Sequence, residues 1–139
     1  MARQAGPRDR VLLEGEMGAG KSTFARAVIE AAGVGARAEG SPTFALVHEY
    51  HGTRGPIAHL DLYRLKSEVE LEEAGLLDVL WSAEALVLVE WVSNWPELEA
   101  RLLDRDRGPV ARHAGSRIWR VNLRFSAFEN RRDLEIWRA

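Results

Sequence analysis

The sequence predicts an α/β domain with a mixed sheet, parallel at its core and extended by antiparallel strands. Three observations carry that prediction. Residues 10–14 and 86–89 are short, continuous apolar runs, the pattern of strands buried on both faces. Residues 23–32, directly after the first run, have helix-favouring composition with apolar positions at Phe24, Val28, Ile29 and Ala32. Residues 43–50 alternate, with Phe44, Leu46 and His48 on one side and Ala45, Val47 and Glu49 on the other, which is strand periodicity.

Taken in order, residues 10–14 form the first strand and end at Gly15. The helix over 23–32 stops at Gly33, and residues 33–40 are a Gly- and Ala-rich loop. The alternating strand over 43–50 meets turn chemistry at residues 51–56, His-Gly-Thr-Arg-Gly-Pro, and a second strand at 57–61 is hairpinned to it. Residues 68–81 read as a helix broken at Gly75, with Leu71, Ala74, Leu77 and Leu80 on one apolar face. The β-branched run 86–89 ends at Glu90. A short helix follows over 96–103, then a polar loop over 104–115, then strands at 118–125 and 134–137 joined near Glu129-Asn130-Arg131-Arg132.

At 139 residues the chain is expected to form a single domain over residues 1–139. Nineteen basic and twenty-one acidic side chains leave a net charge of −2, which argues against a protein that coats nucleic acid by bulk charge. Cysteine is absent, which removes disulfide frameworks, cysteine-based zinc sites and thiol nucleophiles. The polar, basic start has no apolar run behind it, so no signal peptide is predicted. The longest apolar stretch, residues 85–89, is far too short to span a bilayer. A soluble, cytoplasmic protein without membrane contact is the expectation.

Between the first strand and the first helix lies Gly15-Glu16-Met17-Gly18-Ala19-Gly20-Lys21-Ser22. This is the pattern G-x-x-x-x-G-K-[S/T] in its required context of strand before and helix after. Glycines let successive backbone N–H groups turn toward phosphate oxygens, and the helix adds its positive N-terminal end. Lys21 then reaches the β- and γ-phosphates, and the Ser22 hydroxyl is placed to ligate Mg²⁺. Thr23 follows in the first helical turn. The sequence therefore predicts a P-loop domain that takes ATP and Mg²⁺.

Hydrolysis also needs a carboxylate near the metal and a group that orients water. Such acids sit at the C-terminal ends of strands beside the loop strand. Asp61 and Glu90 both qualify: Glu90 ends the better strand and Asp61 is the more conventional residue type. Spacing alone does not decide which touches the metal. Trp91, directly after Glu90, is expected near the nucleotide. The remaining tryptophans (Trp81, Trp95, Trp119, Trp137) read as core or rim, and the four histidines as satisfied or solvated rather than metal-binding.

Ser41-Pro42-Thr43-Phe44, then His59-Leu60-Asp61-Leu62-Tyr63-Arg64-Leu65, then Val89-Glu90-Trp91, following the phosphate loop in that order, resemble the TsaE family, the bacterial ATPase of tRNA threonylcarbamoyladenosine biosynthesis. The resemblance runs over about residues 11–96. It implies a P-loop α/β fold with a mixed sheet, slow ATP hydrolysis, and work beside the TsaB–TsaD threonylcarbamoyl transferase complex, which ATP turnover would reset, with tRNA contact indirect. It makes Ser41, Pro42 and Thr43 a switch-like loop, associates Glu90 with magnesium and Asp61 with hydrolysis, and sets Trp91 beside them. Catalytic roles are thus expected for Asp61, Thr43 and Lys21, and metal ligation for Ser22 and Glu90.

From the residues themselves, Pro42 restricts Ser41 to extended conformations, and Thr43 is a hydroxyl able to meet a γ-phosphate or its metal. The competing reading is a small-molecule or nucleoside kinase of the same loop class, with Arg105, Arg107 and Arg112 as lid arginines.

Overall fold

The computed structural model describes residues 1, 4–35, 46–104, 108, 115–127 and 131–139. Ten regular elements and one 3₁₀ turn follow in the order β1 (Arg10–Gly15), α1 (Lys21–Ala31), β2 (Val47–Gly52), β3 (Gly55–Asp61), α2 (Glu68–Glu73), α3 (Leu76–Leu80), β4 (Leu86–Glu90), the turn Val92–Asn94, α4 (Pro96–Leu103), β5 (Ile118–Phe125) and β6 (Arg132–Arg138). They build a six-stranded sheet in the order β2-β3-β4-β1-β5-β6. β3, β4, β1 and β5 run parallel, and β2 and β6 add antiparallel margins. The expected mixed sheet, with a parallel core, is the one observed.

Alternation along each strand divides the core into two layers. Val11, Leu13, Leu88, Val121 and Leu123 face α1 and meet Ala25, Val28 and Ile29. Leu12, Ala58, Leu60, Val87 and Val89 face the other helices and meet Leu71, Leu76, Leu80, Leu98 and Leu102. β4 is buried at all five positions, as its unbroken apolar run predicts. Each fully buried leucine contributes about 1.5–3 kcal/mol relative to exposure.

Arg10 is fully buried in the second layer. Its guanidinium donates to the carbonyls of Leu80 (2.7 Å), Arg8 (2.9 Å) and Ser82, closing the C-terminal end of α3. Burial pushes its pKa down to about 10, against the opposing pull of Asp9. Among the described residues, no helix is long and apolar enough to cross a membrane.

Several boundaries differ from the sequence reading. Among the described residues β2 spans Val47–Gly52, two residues past the expected end, and residues 43–45 of the expected strand lie outside the described ones. The hairpin is tighter than expected: pairing continues through Gly52 and Gly55, leaving Thr53-Arg54 as a two-residue turn. The expected break at Gly75 is present, with φ +69, and separates α2 from α3. β6 extends two residues earlier and one later than expected, because every residue of β5 from Trp119 to Phe125 finds a ladder partner on it.

Candidate functional site

Gly15 closes β1 with φ +139, and a Cβ there would lie 2.3 Å from the Leu123 carbonyl oxygen. Only glycine lets the loop leave the strand so close to β5. Gly18 (φ +77) and Gly20 (φ +103) take left-handed conformations, and Ala19 N–H closes a turn on the Glu16 carbonyl at 3.1 Å. Helix α1 starts at Lys21 with no side-chain cap among the described residues. Its first amides, those of Lys21, Ser22 and Thr23, have no acceptor within the helix. Glu16, Met17 and Gly18 are exposed at the loop's outer edge, as are Ser22 and Thr23, whereas Ala19 is buried.

Lys21 is buried at 4% exposure. Its Nζ donates to the carbonyls of Gly15 (2.7 Å) and Glu16 (2.9 Å) and lies 3.7 Å from the centroid of the Trp91 ring. Burial lowers its pKa, while the charges of Glu90, Asp61 and Glu14 pull the other way. These charges converge because the strands do. Asp61 and Glu90 are direct neighbours across β3 and β4, and Glu90 is also opposite Leu13 on β1. Both acids follow the parity of the α1-facing layer, on the side of the sheet where the loop opens. The structure thus brings Lys21, Asp61, Glu90 and Trp91 together, next to the loop that carries Ser22.

Glu90 is 2% exposed, and His59 Nε2 lies 2.8 Å from its Oε1. His59 stands two residues before Asp61 on the same face of β3. Asp61 Oδ1 accepts from the Tyr63 N–H at 3.1 Å, and the Tyr63 ring packs on Trp91 at 5.0 Å between centroids. The segment 59–63 therefore serves the site three times: His59 holds Glu90, Asp61 lies beside Glu90, and Tyr63 supports Trp91. Sequence reasoning took His59 as a satisfied or solvated histidine within the motif of residues 59–65 and assigned it no role beside Glu90. Its period-two spacing from Asp61 was the available signal.

Trp91 itself has φ +66, an uncommon backbone conformation for a bulky residue, which persists only when its surroundings fix it. The Asn94 N–H donates to the Trp91 carbonyl at 3.1 Å. One residue before Asn94, Ser93 Oγ donates to Glu14 Oε2 at 2.6 Å, tying the 3₁₀ turn to the end of β1. Glu14 faces the layer opposite the loop, and its Oε1 is buried without a partner among the described residues. Burial is the main cause of its raised pKa, with the Ser93 hydrogen bond opposing it. Neither Glu14 nor Ser93 was anticipated. Arg120 and Glu99 form an ion pair next to Glu14.

Thr43, with Ser41 and Pro42, lies outside the described residues, as do Arg105, Arg107 and Arg112.

A family model, "Threonylcarbamoyl adenosine biosynthesis protein TsaE", matches residues 1–113. The protein of that name from Bacillus subtilis is 41% identical over 87 residues, 63% of this chain and 52% of the relative. The one from Streptomyces coelicolor is 42% identical over 110 residues, 74% of this chain and 73% of the relative. The one from Haemophilus influenzae is 40% identical over 81 residues, and this chain spans about half the length of several of the relatives it matches. A crystal structure of Bacillus subtilis YdiB superposes with a TM-score of 0.60 at 25% identity, covering 99% of this chain and 72% of that one. On its motifs, its fold and these matches, the chain belongs to the TsaE family.

Proposed function

We propose that this chain binds ATP at residues 15–23, hydrolyses it slowly with Mg²⁺, and acts as an accessory ATPase of tRNA threonylcarbamoyladenosine biosynthesis. The observation that carries the reading is the meeting of Lys21, Asp61 and Glu90 at the C-terminal ends of β1, β3 and β4, beside an uncapped helix N-terminus. That is where an α/β sheet holds a ligand and where an anion gains most from backbone dipoles.

The roles follow from the chemistry. The loop amides receive the phosphate oxygens, and Lys21 leaves the Gly15 and Glu16 carbonyls to pair the β- and γ-phosphates. Ser22 and Glu90 would hold Mg²⁺, an ion that keeps several waters and takes only one or two carboxylates alongside phosphate oxygens. His59, bonded to Glu90, fixes the orientation of that ligand. Bound there, the ion would supply charge neutralisation at the phosphates. Asp61 orients the attacking water, with Thr43 meeting the γ-phosphate from the switch-like loop. Trp91 covers Lys21 and excludes water from it.

The partner in this reading is the TsaB–TsaD complex, reset by ATP turnover, with tRNA contact indirect. The test is release of phosphate from ATP by this chain, alone and with purified TsaB–TsaD. Slow turnover that rises with the complex is expected. Turnover indifferent to the complex would overturn the accessory role and leave the P-loop assignment standing.

A further inference from the structure

Trp91 lies with its ring centroid 3.7 Å from Lys21 Nζ. The ring reaches that place from a backbone with φ +66, which a bulky residue leaves unless its neighbours hold it there. Tyr63 packs on the ring but is itself 51% exposed, a poor anchor. On the N-terminal side the hold is slight: the Trp91 N–H meets the Leu13 carbonyl at 3.4 Å, longer than an ordinary hydrogen bond. On the C-terminal side lies the 3₁₀ turn Val92–Asn94. The Asn94 N–H donates to the Trp91 carbonyl at 3.1 Å and the Trp95 N–H to the Val92 carbonyl at 2.8 Å. These bonds shape the turn but do not fix it to the sheet. Two side chains do that. Val92 is fully buried in the second layer, and Ser93 Oγ donates to Glu14 Oε2 at 2.6 Å. Apolar burial has no direction, whereas a hydrogen bond to a carboxylate is aimed. Val92 therefore sets how deep the turn sits, and Ser93 sets which way it faces.

We propose that Ser93 and Glu14 are positioning residues for the nucleotide site: their hydrogen bond sets the turn after β4 so that Trp91 stays against Lys21. The inference rests on the phosphate-loop reading above and extends it to a bond made on the other face of the sheet. Glu14 is the residue before Gly15, where the loop leaves β1. Its bond to Ser93 thus ties the turn that carries Trp91 to the strand end that carries the loop. The Arg120–Glu99 ion pair beside Glu14 brings charges of both signs, and the aimed bond to the Glu14 carboxylate comes from Ser93. Without that bond Trp91 relaxes toward an ordinary backbone conformation and uncovers a lysine that is 4% exposed.

The sequence makes the test clean, because it contains two lysines, the buried Lys21 and the exposed Lys66. Brief acetylation with acetic anhydride, read at each lysine by mass spectrometry, reports the cover on Lys21 with Lys66 as internal reference. Ser93→Ala, at an exposed position, should raise Lys21 labelling about fivefold, the weight of one hydrogen bond on the turn. Ser93→Thr keeps the hydroxyl and should label as the wild type does. Trp91→Ala should raise labelling further, and adding Ser93→Ala to it should change nothing more, because the bond acts through the ring. Unchanged labelling in Ser93→Ala, or equal labelling in the alanine and threonine variants, would overturn the positioning role. So would effects that multiply in the double variant, since the bond would then support the fold and not the ring. ATP should slow Lys21 labelling in the wild type. Protection by ATP, with labelling indifferent to Ser93, would end the positioning role and leave the phosphate loop standing. A wild type whose Lys21 is not protected by ATP would overturn the phosphate-loop reading and this role together.

Discussion

The two flanks of β1 are made of opposite materials. Toward β4 lie buried charges and the groups that hold them: Lys21 at 4% exposure, Glu90 at 2%, with His59, Asp61 and Trp91 around them. Toward β5 and β6 the surface is open and apolar, with Phe125, Leu134 and Ile136 all at least 40% exposed on one face of the ladder. Buried charges are expensive unless paired, so the first flank is pre-organised by necessity, each member fixed by another. The second flank has no such constraint. Desolvation thus forces order on the β4 flank and leaves the β5 flank free of it.

That contrast can be broken at several points. The largest effect is expected from Lys21→Ala, which removes a charge-assisted contact worth about 3 kcal/mol or about 100-fold in ATP affinity. A titration with a fluorescent ATP analogue measures it, and undiminished affinity would place the phosphates elsewhere. Next is Asp61→Asn, which should lower turnover about 100-fold or more while sparing ATP affinity. Glu90→Gln should instead raise the Mg²⁺ concentration needed for half-maximal turnover. His59→Ala should act in the same direction as Glu90→Gln but by about tenfold, as the loss of a partner behind a metal ligand does. Tripolyphosphate binding without metal should be unchanged, and a fall in it would mean that His59 only supports the fold.

The smallest effect concerns Glu14. Burial holds its carboxyl above the ordinary range, so the folded chain binds that proton more tightly than the unfolded chain. Stability contributed by Glu14 is therefore present at low pH and declines as pH rises through the ordinary carboxylate range toward the raised value. Glu14→Gln keeps an acceptor for Ser93 but does not titrate. Thermal melts from about pH 4 to about pH 7 should show the variant gaining on the wild type. Parallel melting curves would contradict the direction.

Much of the charged flank was legible in the sequence, because its residue types and positions carry their own logic. A glycine loop between an apolar strand and a helix can be read directly, and acids at strand ends beside it follow. α4 lay over residues 96–103 as expected, and Gly75 broke a helix where its sequence said it would. The alternation of residues 43–50 located β2 over its described part but not its continuation to Gly52, since periodicity does not reveal where a hairpin stops pairing. His59 escaped because a histidine is ambiguous until the strand beside it is known, and β4 supplies the carboxylate from 31 residues away. The Ser93–Glu14 link escaped for the same reason, bridging 79 residues.

The division of labour between binding and turnover is tested most directly by comparing wild type with Asp61→Asn in one experiment, measuring ATP affinity by titration and phosphate release under saturating ATP and Mg²⁺. Equal affinities with turnover lost only in the variant are predicted. Loss of affinity together with turnover would contradict the assignment of Asp61 to the attacking water and make it part of the binding site itself.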